Sequence, residues 1–304
     1  MNFEELLIKN NLTLNELSKG VGIPYSTLHS TASDPTRIKA ANLKKLALYF
    51  HISMEEMYDI FVDEKEKTLL SIYKEQKRMQ LKGNIYHETQ IKLCYNTNRI
   101  EGSKLTEDQT RYIYETNTVI EGDTPSRVDD IVETVNHFKL FDVMLDSAKD
   151  ILTQDMIKGC HAILKRGTSD ERKDWFRVGD YKKLPNEVGG KETAEPKKVS
   201  AEISKLLTWY NGLKSVTLGE IIQFHYRFES IHPFQDGNGR VGRIIMFKEC
   251  LKHNIIPFVI EDTYKAFYYR GLKEYEIEKG YLLDTCLSMQ DQFKEIIKKF
   301  RIEN

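Results

Sequence analysis

Helix-breaking residues are scarce in this chain, and this scarcity limits what it can fold into. The 304 residues include 17 glycines and 7 prolines, about 8% together against a usual ~12%. Charged residues reach 30%, above the usual ~25%. Few turn formers and many charged positions favour long amphipathic helices over numerous short strands. We therefore expect an all-α protein, with two domains at about 150 residues per domain.

The overall charge excludes any general attraction to polyanions. Lysine and arginine number 45 against 46 aspartates and glutamates, so contact with nucleic acid must be local. The N-terminus is acidic where a secretory signal is basic, and no apolar run approaches the ~18 residues of a membrane span. We expect a cytoplasmic protein with no membrane partner. The scattered Cys94, Cys160, Cys250 and Cys286 predict reduced core cysteines.

Residues 1–62 have the pattern of a small domain built from short helices. Thr13 stands at an N-cap position, and Gly20 and Gly22 open a tight turn between two amphipathic segments. Apolar side chains on both sides of that turn are placed to meet across it. The segment resembles the helix-turn-helix of Cro and repressor proteins, with residues 25–33 as the recognition helix.

This resemblance implies DNA binding through the recognition helix. The candidate base-contacting residues are Tyr25, Ser26, Thr27, His29 and Ser30, and the candidate phosphate contacts are Arg37 and Lys39. Residues 1–62 hold six basic and seven acidic residues, so affinity for phosphates would be modest. A docking module is the alternative interpretation, and a DNA-binding form is expected to be a homodimer.

Residues 63–304 are predicted to form a second helical domain with one exception. The segment 176–196 concentrates glycine, proline and asparagine between short extended pieces, which predicts a hairpin or a long loop. A polar hairpin in a helical domain is a candidate lid or substrate clamp. An ordinary surface loop is the alternative.

The segment 232–243, HPFQDGNGRVGR, holds the densest set of chemically useful side chains. Gly237 and Gly239 permit a turn at a helix N-terminus, where backbone N–H groups hold phosphate. Arg240 and Arg243 are three positions apart on that helix and are placed to neutralise successive phosphates.

The same segment supplies a metal ligand and a base. Asp236 offers the hard carboxylate oxygen that Mg²⁺ prefers. His232 titrates near neutral pH and is suited to general base catalysis. Together these parts predict phosphoryl or nucleotidyl transfer.

A dinucleotide-binding fingerprint is a rival interpretation of these glycines. Gly237, Gly239 and Gly242 fit G-x-G-x-x-G, and Asp262 follows at the spacing of the ribose-binding acid. The preceding segment is not a buried strand, and no alternation of strands and helices follows. The context therefore excludes this interpretation.

Residues 232–243 match the HPFxDGNGRxxR signature of Fic-domain proteins at every specified position, and the resemblance extends over about 96–274. Fic proteins are all-α with a β-hairpin flap. Most proteins with this signature transfer AMP from ATP to a hydroxyl group of a target protein. The segment has neither the lysine of relatives that phosphorylate proteins nor the alanine of relatives that transfer phosphocholine.

The resemblance implies a role for each matching residue. His232 would deprotonate the target hydroxyl, and Asp236 would hold Mg²⁺. The ATP phosphates would be bound by Gly237, Asn238, Gly239, Arg240 and Arg243. The flap, at about 178–192, would grip a target segment by main-chain pairing, with Tyr181 and Lys182 where the family has an aromatic-arginine pair.

A second motif lies upstream, in a helix predicted at about 90–102. Thr97 and Glu101 share a helix face four residues apart, and Gly102 is a helix stop. The pattern resembles the (S/T)xxxE(G/N) inhibitory motif of Fic proteins, whose glutamate pairs with the second signature arginine, here Arg243. This implies an autoinhibited protein adenylyltransferase that also modifies itself when released. Removal of AMP by the same site, and a DNA-binding regulator that only senses nucleotide, remain alternatives.

Overall fold

The computed structural model describes residues 3–33, 38–61, 68–80, 82–120 and 125–302. The chain divides into two compact units, Met1–Lys67 and Thr68–Asn304. Over the described ranges it is helical apart from one short hairpin, so the all-α prediction is confirmed. No helix in these ranges combines the length and apolarity needed to cross a bilayer.

Within residues 3–33 and 38–61, the first unit contains five helices around a small apolar core. They are α1 Phe3–Lys9, α2 Leu14–Val21, α3 Tyr25–Ser33, α4 Ala40–Phe50 and α5 Met54–Phe61. Thr13 caps α2 in a capping box with Glu16, and Gly22 ends it in the left-handed conformation at φ 62°. Leu17, at 0% exposure, lies at the centre of the core. The predicted recognition helix coincides with α3.

In its described ranges, 68–80, 82–120 and 125–302, the second unit has ten further helices and the hairpin. The helices are α6 Leu69–Met79, α7 Ile85–Ile100, α8 Glu107–Thr116, α9 Val128–Asp146, α10 Gln154–Lys165, α11 Val199–Asn211, α12 Leu218–Ile231, α13 Asn238–Lys252, α14 Lys265–Glu274 and α15 Gly280–Lys299. Short 3-10 turns lie at Ser169–Arg172 and Asp262–Tyr264. All four cysteines are buried and free, as predicted.

Helix α13 is the centre of this unit. Every residue from Asn238 to Leu251 is buried, and the helix packs against α7, α9, α10 and α12. Its arginines therefore lie inside the protein, where a charge must have partners. The neighbouring helices supply those partners and fix the direction of each arginine.

The hairpin follows the 3-10 turn at Ser169–Arg172. Strand β1, Glu187–Val188, pairs antiparallel with β2, Lys191–Glu192. Gly189 and Gly190 form the two-residue turn, both with positive φ, as a type I′ hairpin requires.

Candidate active site

His232 stands immediately after helix α12 and ends it. Its backbone is left-handed at φ 50°, a conformation that costs energy outside glycine and that turns the chain into the signature loop. Burial, followed by the charge of Lys182, lowers the pKa of the imidazole to about 4. The ring is therefore neutral at physiological pH and able to accept a proton.

The loop after His232 is locked by two side chains. Asn238 Oδ1 accepts a hydrogen bond from the Phe234 N–H at 2.8 Å, and its Nδ2 donates to the Phe234 carbonyl at 2.9 Å. The Phe234 ring is fully buried and stacks on His161, with ring centroids 4.0 Å apart. Asn238 thus contributes its side chain to the shape of the loop.

His161 also ties this loop to the segment that leads into the flap. Its Nδ1 accepts from the Gly179 N–H at 2.9 Å, and Nε2 lies 3.2 Å from the Asp236 carbonyl. Because Nδ1 accepts, Nε2 carries the proton and donates. Burial, then Lys165, lowers the pKa of His161 to about 3, which keeps this neutral tautomer.

The N-terminus of α13 lies where the sequence predicts an anion site. Gly237 is the N-cap at φ 84°, which frees the first N–H groups of the helix to point outward. The helix has 15 residues, so its dipole adds positive potential at this end. A Cβ at Gly239 would overlap Oε1 of Glu101, so glycine is required for the contact that Glu101 makes here.

A buried ionic network surrounds Asp236. Its Oδ2 accepts from Arg240 Nη2 at 2.9 Å and from Lys165 Nζ at 2.8 Å. Arg240 also bonds Glu133, and Lys165 bonds Glu133 at 2.6 Å and Asp170 at 2.5 Å. Burial alone would raise the pKa of Asp236, but Arg240 and Lys165 outweigh it and hold that pKa far below its usual value.

The residues around Asp236 fit one divalent cation ligated by that residue. Its carboxylate is ionised, and its side chain remains 48% exposed. Glu133 and Asp170 offer further carboxylate oxygens nearby. The Lys165 ammonium, however, lies within 2.8 Å of an oxygen of each of these three acids. The chain's own cation therefore balances the inner acids.

Arg243 contacts both residues of the upstream motif. Its Nη2 donates to Glu101 Oε1 at 2.6 Å and to the Thr97 carbonyl at 3.1 Å, and its Nε donates to Thr97 Oγ1 at 2.6 Å. Burial would raise the pKa of Glu101, but Arg243 and then Arg240 lower it below 4.5. Glu101 is the C-cap of α7, and Gly102 follows at φ 98°.

These groups line one cavity of about 670 Å³. His232, Gly239, Arg243 and Glu101 border it together, with Tyr268 on the side of α14. The hairpin borders it from the other side through the lining residues Val188, Gly189, Lys191, Glu192 and Thr193. His232, the N-terminal end of α13 and Glu101 therefore border one cavity that the hairpin helps to enclose.

The two predicted flap residues have buried side chains. Tyr181 is 8% and Lys182 4% exposed. The Lys182 N–H donates to the Pro233 carbonyl at 2.9 Å, next to His232. The flap is thus fastened to the signature loop at its base.

The candidate DNA-contacting residues lie on α3. Ser26 and His29 are exposed, and Thr27 is half-buried because α3 packs its other face on the core. Tyr25 and Ser30 are exposed as well, and so is Lys39. Arg37 lies outside the described residues.

Sequence reasoning missed four residues of this site. Glu133 of α9 and Lys165 of α10 hold Arg240 and Asp236 in place. His161 supports the signature loop. The Tyr268 hydroxyl lies 2.7 Å from His225 Nε2, beside Arg243. None belongs to a short motif. The one sequence signal for such partners is the excess of arginine over acid within residues 232–243, and it does not say which residues they are.

Comparison with known families agrees with this geometry. Residues 151–250 match the Fic/DOC family, and residues 2–63 match the Cro/C1-type HTH DNA-binding domain. The chain therefore carries a Fic domain together with a helix-turn-helix domain.

The chain is also similar to curated proteins named protein adenylyltransferase Fic. The chain is 26% identical over 190 residues to the protein adenylyltransferase Fic of Culex quinquefasciatus, covering 61% of this chain and 37% of that protein. The Drosophila grimshawi protein of the same name is 24% identical over 224 residues, 73% of this chain and 44% of that protein. The chain thus spans less than half the length of these relatives.

The fold is that of Fic proteins. A Fic domain containing signaling protein from Bacteroides thetaiotaomicron superposes with a TM-score of 0.59 at 22% identity, covering 74% of this chain and 92% of that one. Fic-1 from C. elegans gives a TM-score of 0.59 at 18% identity, covering 95% of this chain and 87% of that one. The predicted Fic fold with a small flap is confirmed.

Proposed function

We propose that this protein transfers AMP from ATP to a hydroxyl side chain of a target protein, itself included, and that Glu101 inhibits the transfer. The observation that carries the proposal is the shared cavity of His232, the α13 N-terminus and Arg243. Relatives with the printed name protein adenylyltransferase support the choice of AMP.

The proposed reaction assigns one task to each group. His232 accepts the proton of the target hydroxyl, whose oxygen attacks the α-phosphorus of ATP while the bond to the bridging oxygen breaks and diphosphate leaves. The N–H groups of 237–239 bind phosphate oxygens, and Arg240 and Arg243 neutralise the outer phosphates. Asp236 would hold Mg²⁺, which supplies charge neutralisation when bound. Catalysis here is placement and electrostatic stabilisation.

Glu101 is bonded to the Arg243 guanidinium, which would otherwise bind the outer phosphates. Arg243 is 3% exposed, and its Nε and Nη2 groups are bonded to Thr97 and Glu101, so these donors are not available to a phosphate while Glu101 stays in place. The proposed inhibition is this competition between a carboxylate and a phosphate.

The test is intact mass after incubation with ATP and Mg²⁺. Glu101→Gly should gain one or more adenylyl groups, while wild type gains far fewer and Glu101→Gly with His232→Ala gains none. Failure of Glu101→Gly to gain mass, alone or with other proteins present, contradicts the proposal. Label lost from modified protein on adding unlabelled wild type, but not Glu101→Gly, would indicate that Glu101 supports AMP removal.

DNA binding by the first unit is a second proposed function. The match to a Cro/C1-type HTH DNA-binding domain and the exposed face of α3 support it. A regulator that senses nucleotide without turnover would show nucleotide-dependent DNA binding and no label transfer.

A further inference from the structure

Lys182 differs from the other buried lysines of the second unit. Lys165 has three carboxylate partners and Lys248 bonds Glu249 at 2.6 Å. In the described part of the chain, Lys182 has only neutral oxygen partners, although it is 4% exposed. A buried cation without a counter-ion is costly, so packing alone does not explain it.

The Lys182 ammonium closes the base of the hairpin. Nζ donates to Asn186 Oδ1 and to Thr193 Oγ1, each at 2.6 Å. These two residues stand immediately before β1 and after β2, and Thr193 also bonds the Asn186 carbonyl at 2.9 Å. One cation therefore joins both arms of the flap.

The same residue brackets His232 along the chain. Lys182 Nζ lies 3.4 Å from the carbonyl of Ile231, and its N–H donates to the carbonyl of Pro233 at 2.9 Å. Asn186 Nδ2 continues this seam with a bond to the Phe234 carbonyl at 3.0 Å. Movement at the foot of the hairpin is thus coupled to the backbone on both sides of His232.

We propose that Lys182 is a positioning residue for His232. Lys182 fastens the flap against the signature loop and places a positive charge beside the imidazole. Lys182 acts through His232, and this role rests on the proposed AMP transfer only where activity is measured. This role differs from side-chain contact with a target.

Four titratable side chains face His232. Lys182 approaches from the flap, Glu101 from α7 and Asp236 from the signature loop, and Glu229 of α12 lies with Oε2 3.9 Å from Nδ1. Burial raises the pKa of Glu229 to about 8, so it is mostly uncharged at neutral pH. Burial lowers the pKa of Lys182 to about 8, so it is mostly protonated there. Lys182 is thus the cation that opposes protonation of the imidazole.

The experiment measures the His232 pKa directly, by NMR titration of the full-length Glu101→Gly protein with ¹³C-labelled histidine. The His232→Gln variant assigns the signal. Lys182→Met should raise the pKa of His232 by about one unit, because a nearby positive charge is removed. Lys182→Arg, which keeps the charge, should leave the value near that of the parent. No rise with Lys182→Met in a folded protein overturns the proposal.

Two controls separate charge from loosening of the flap. Lys183→Met removes an adjacent exposed lysine that bonds the Asp174 carbonyl, and it should not change the pKa. Asn186→Ala breaks the hairpin base but keeps Lys182. A rise with Asn186→Ala equal to that with Lys182→Met would overturn the electrostatic role.

The activity readout is the pH profile of AMP transfer in the same background. The acid limb for Lys182→Met should move to higher pH by the same amount as the NMR shift, and an unmoved limb counts against the proposal. If Glu101→Gly transfers no AMP at any pH, the proposed function fails, while the NMR titration still decides the role of Lys182.

Discussion

Glu101 and Arg243 are 142 positions apart in the chain, and their side chains meet at 2.6 Å between Oε1 and Nη2. The Arg243 guanidinium is fixed on a helix buried on all sides, whereas Glu101 is the C-cap residue that follows a different helix, α7. A small movement at the C-terminal end of α7 would therefore break the Glu101 contact, while the two hydrogen bonds from Arg243 to Thr97 remain. The proposed inhibition therefore depends on a contact between α13 and the end of α7.

Thr97 should contribute part of the inhibition. Thr97→Val removes the Oγ1 that accepts from Arg243 Nε at 2.6 Å but leaves Glu101 in place. One lost hydrogen bond to a charged group weakens the contact by about 1–2 kcal/mol, so self-AMPylation should rise roughly 5- to 30-fold, less than in Glu101→Gly. Initial rates with labelled ATP measure this. Thr110→Val, which removes a buried hydroxyl bonded within α8, is the matched control and should leave the rate at the wild-type level.

The Glu101–Arg243 pair should stabilise the second unit in a pH-dependent way. The pKa of Glu101 is lowered in the folded protein, so its contribution is complete above the unfolded value near 4.5 and is lost as pH falls through the lower folded value. Glu101→Gln should reduce the free energy of unfolding by about 2 kcal/mol at pH 7, with a shrinking difference below pH 4.5. Denaturant unfolding at several pH values measures it. A difference that grows on acidification would contradict this assignment.

Lys165 should be essential for stability around Asp236. Lys165→Met removes the cation that Glu133, Asp170 and Asp236 share, although Arg240 still pairs with Glu133 and Lys173 with Asp170. Breaking such a network costs about 3–5 kcal/mol. Thermal unfolding with and without Mg²⁺ measures the loss. Lys205→Met, which removes an exposed lysine paired with Glu202, should cost less than about 1 kcal/mol. Equal effects of the two variants would exclude a structural role for the network.

The sequence contained enough to place the parts of this site that lie within one helix or loop. Thr97 and Glu101 were assigned to one face by their spacing, and the N-cap Thr13 located the start of α2. The roles of Lys165 and Tyr268 were not predictable, because both reach the site from helices whose packing is set by the whole core. The inward direction of Lys182 depends on how the hairpin docks on the signature loop, which strand and turn patterns do not encode.

Gly242 is required by the close approach of α12 to α13. An added Cβ would lie 2.6 Å from Glu229 Oε1 and 2.9 Å from the His225 ring, and both neighbours are buried. Gly242→Ala should therefore destabilise the protein by about 1–3 kcal/mol. Gly159→Ala is the matched control, because nothing lies within 4 Å of its Cβ position inside α10. It should stabilise by about 0.5–1 kcal/mol through helix propensity. Thermal unfolding should rank the two variants on opposite sides of wild type.

The exposed face of α3 provides a test of DNA binding. Ser26→Ala with His29→Ala removes two exposed polar side chains without touching the buried Leu28 between them. If α3 reads base edges, affinity for a selected DNA site should fall by about 1–3 kcal/mol per lost contact, while weak nonspecific binding and its salt dependence stay the same. Mobility shifts over a range of salt concentrations measure both. Glu55→Ala, on the exposed side of α5, is the control for an unrelated surface change. A double variant that binds the selected site as tightly as wild type would contradict base contacts by Ser26 and His29.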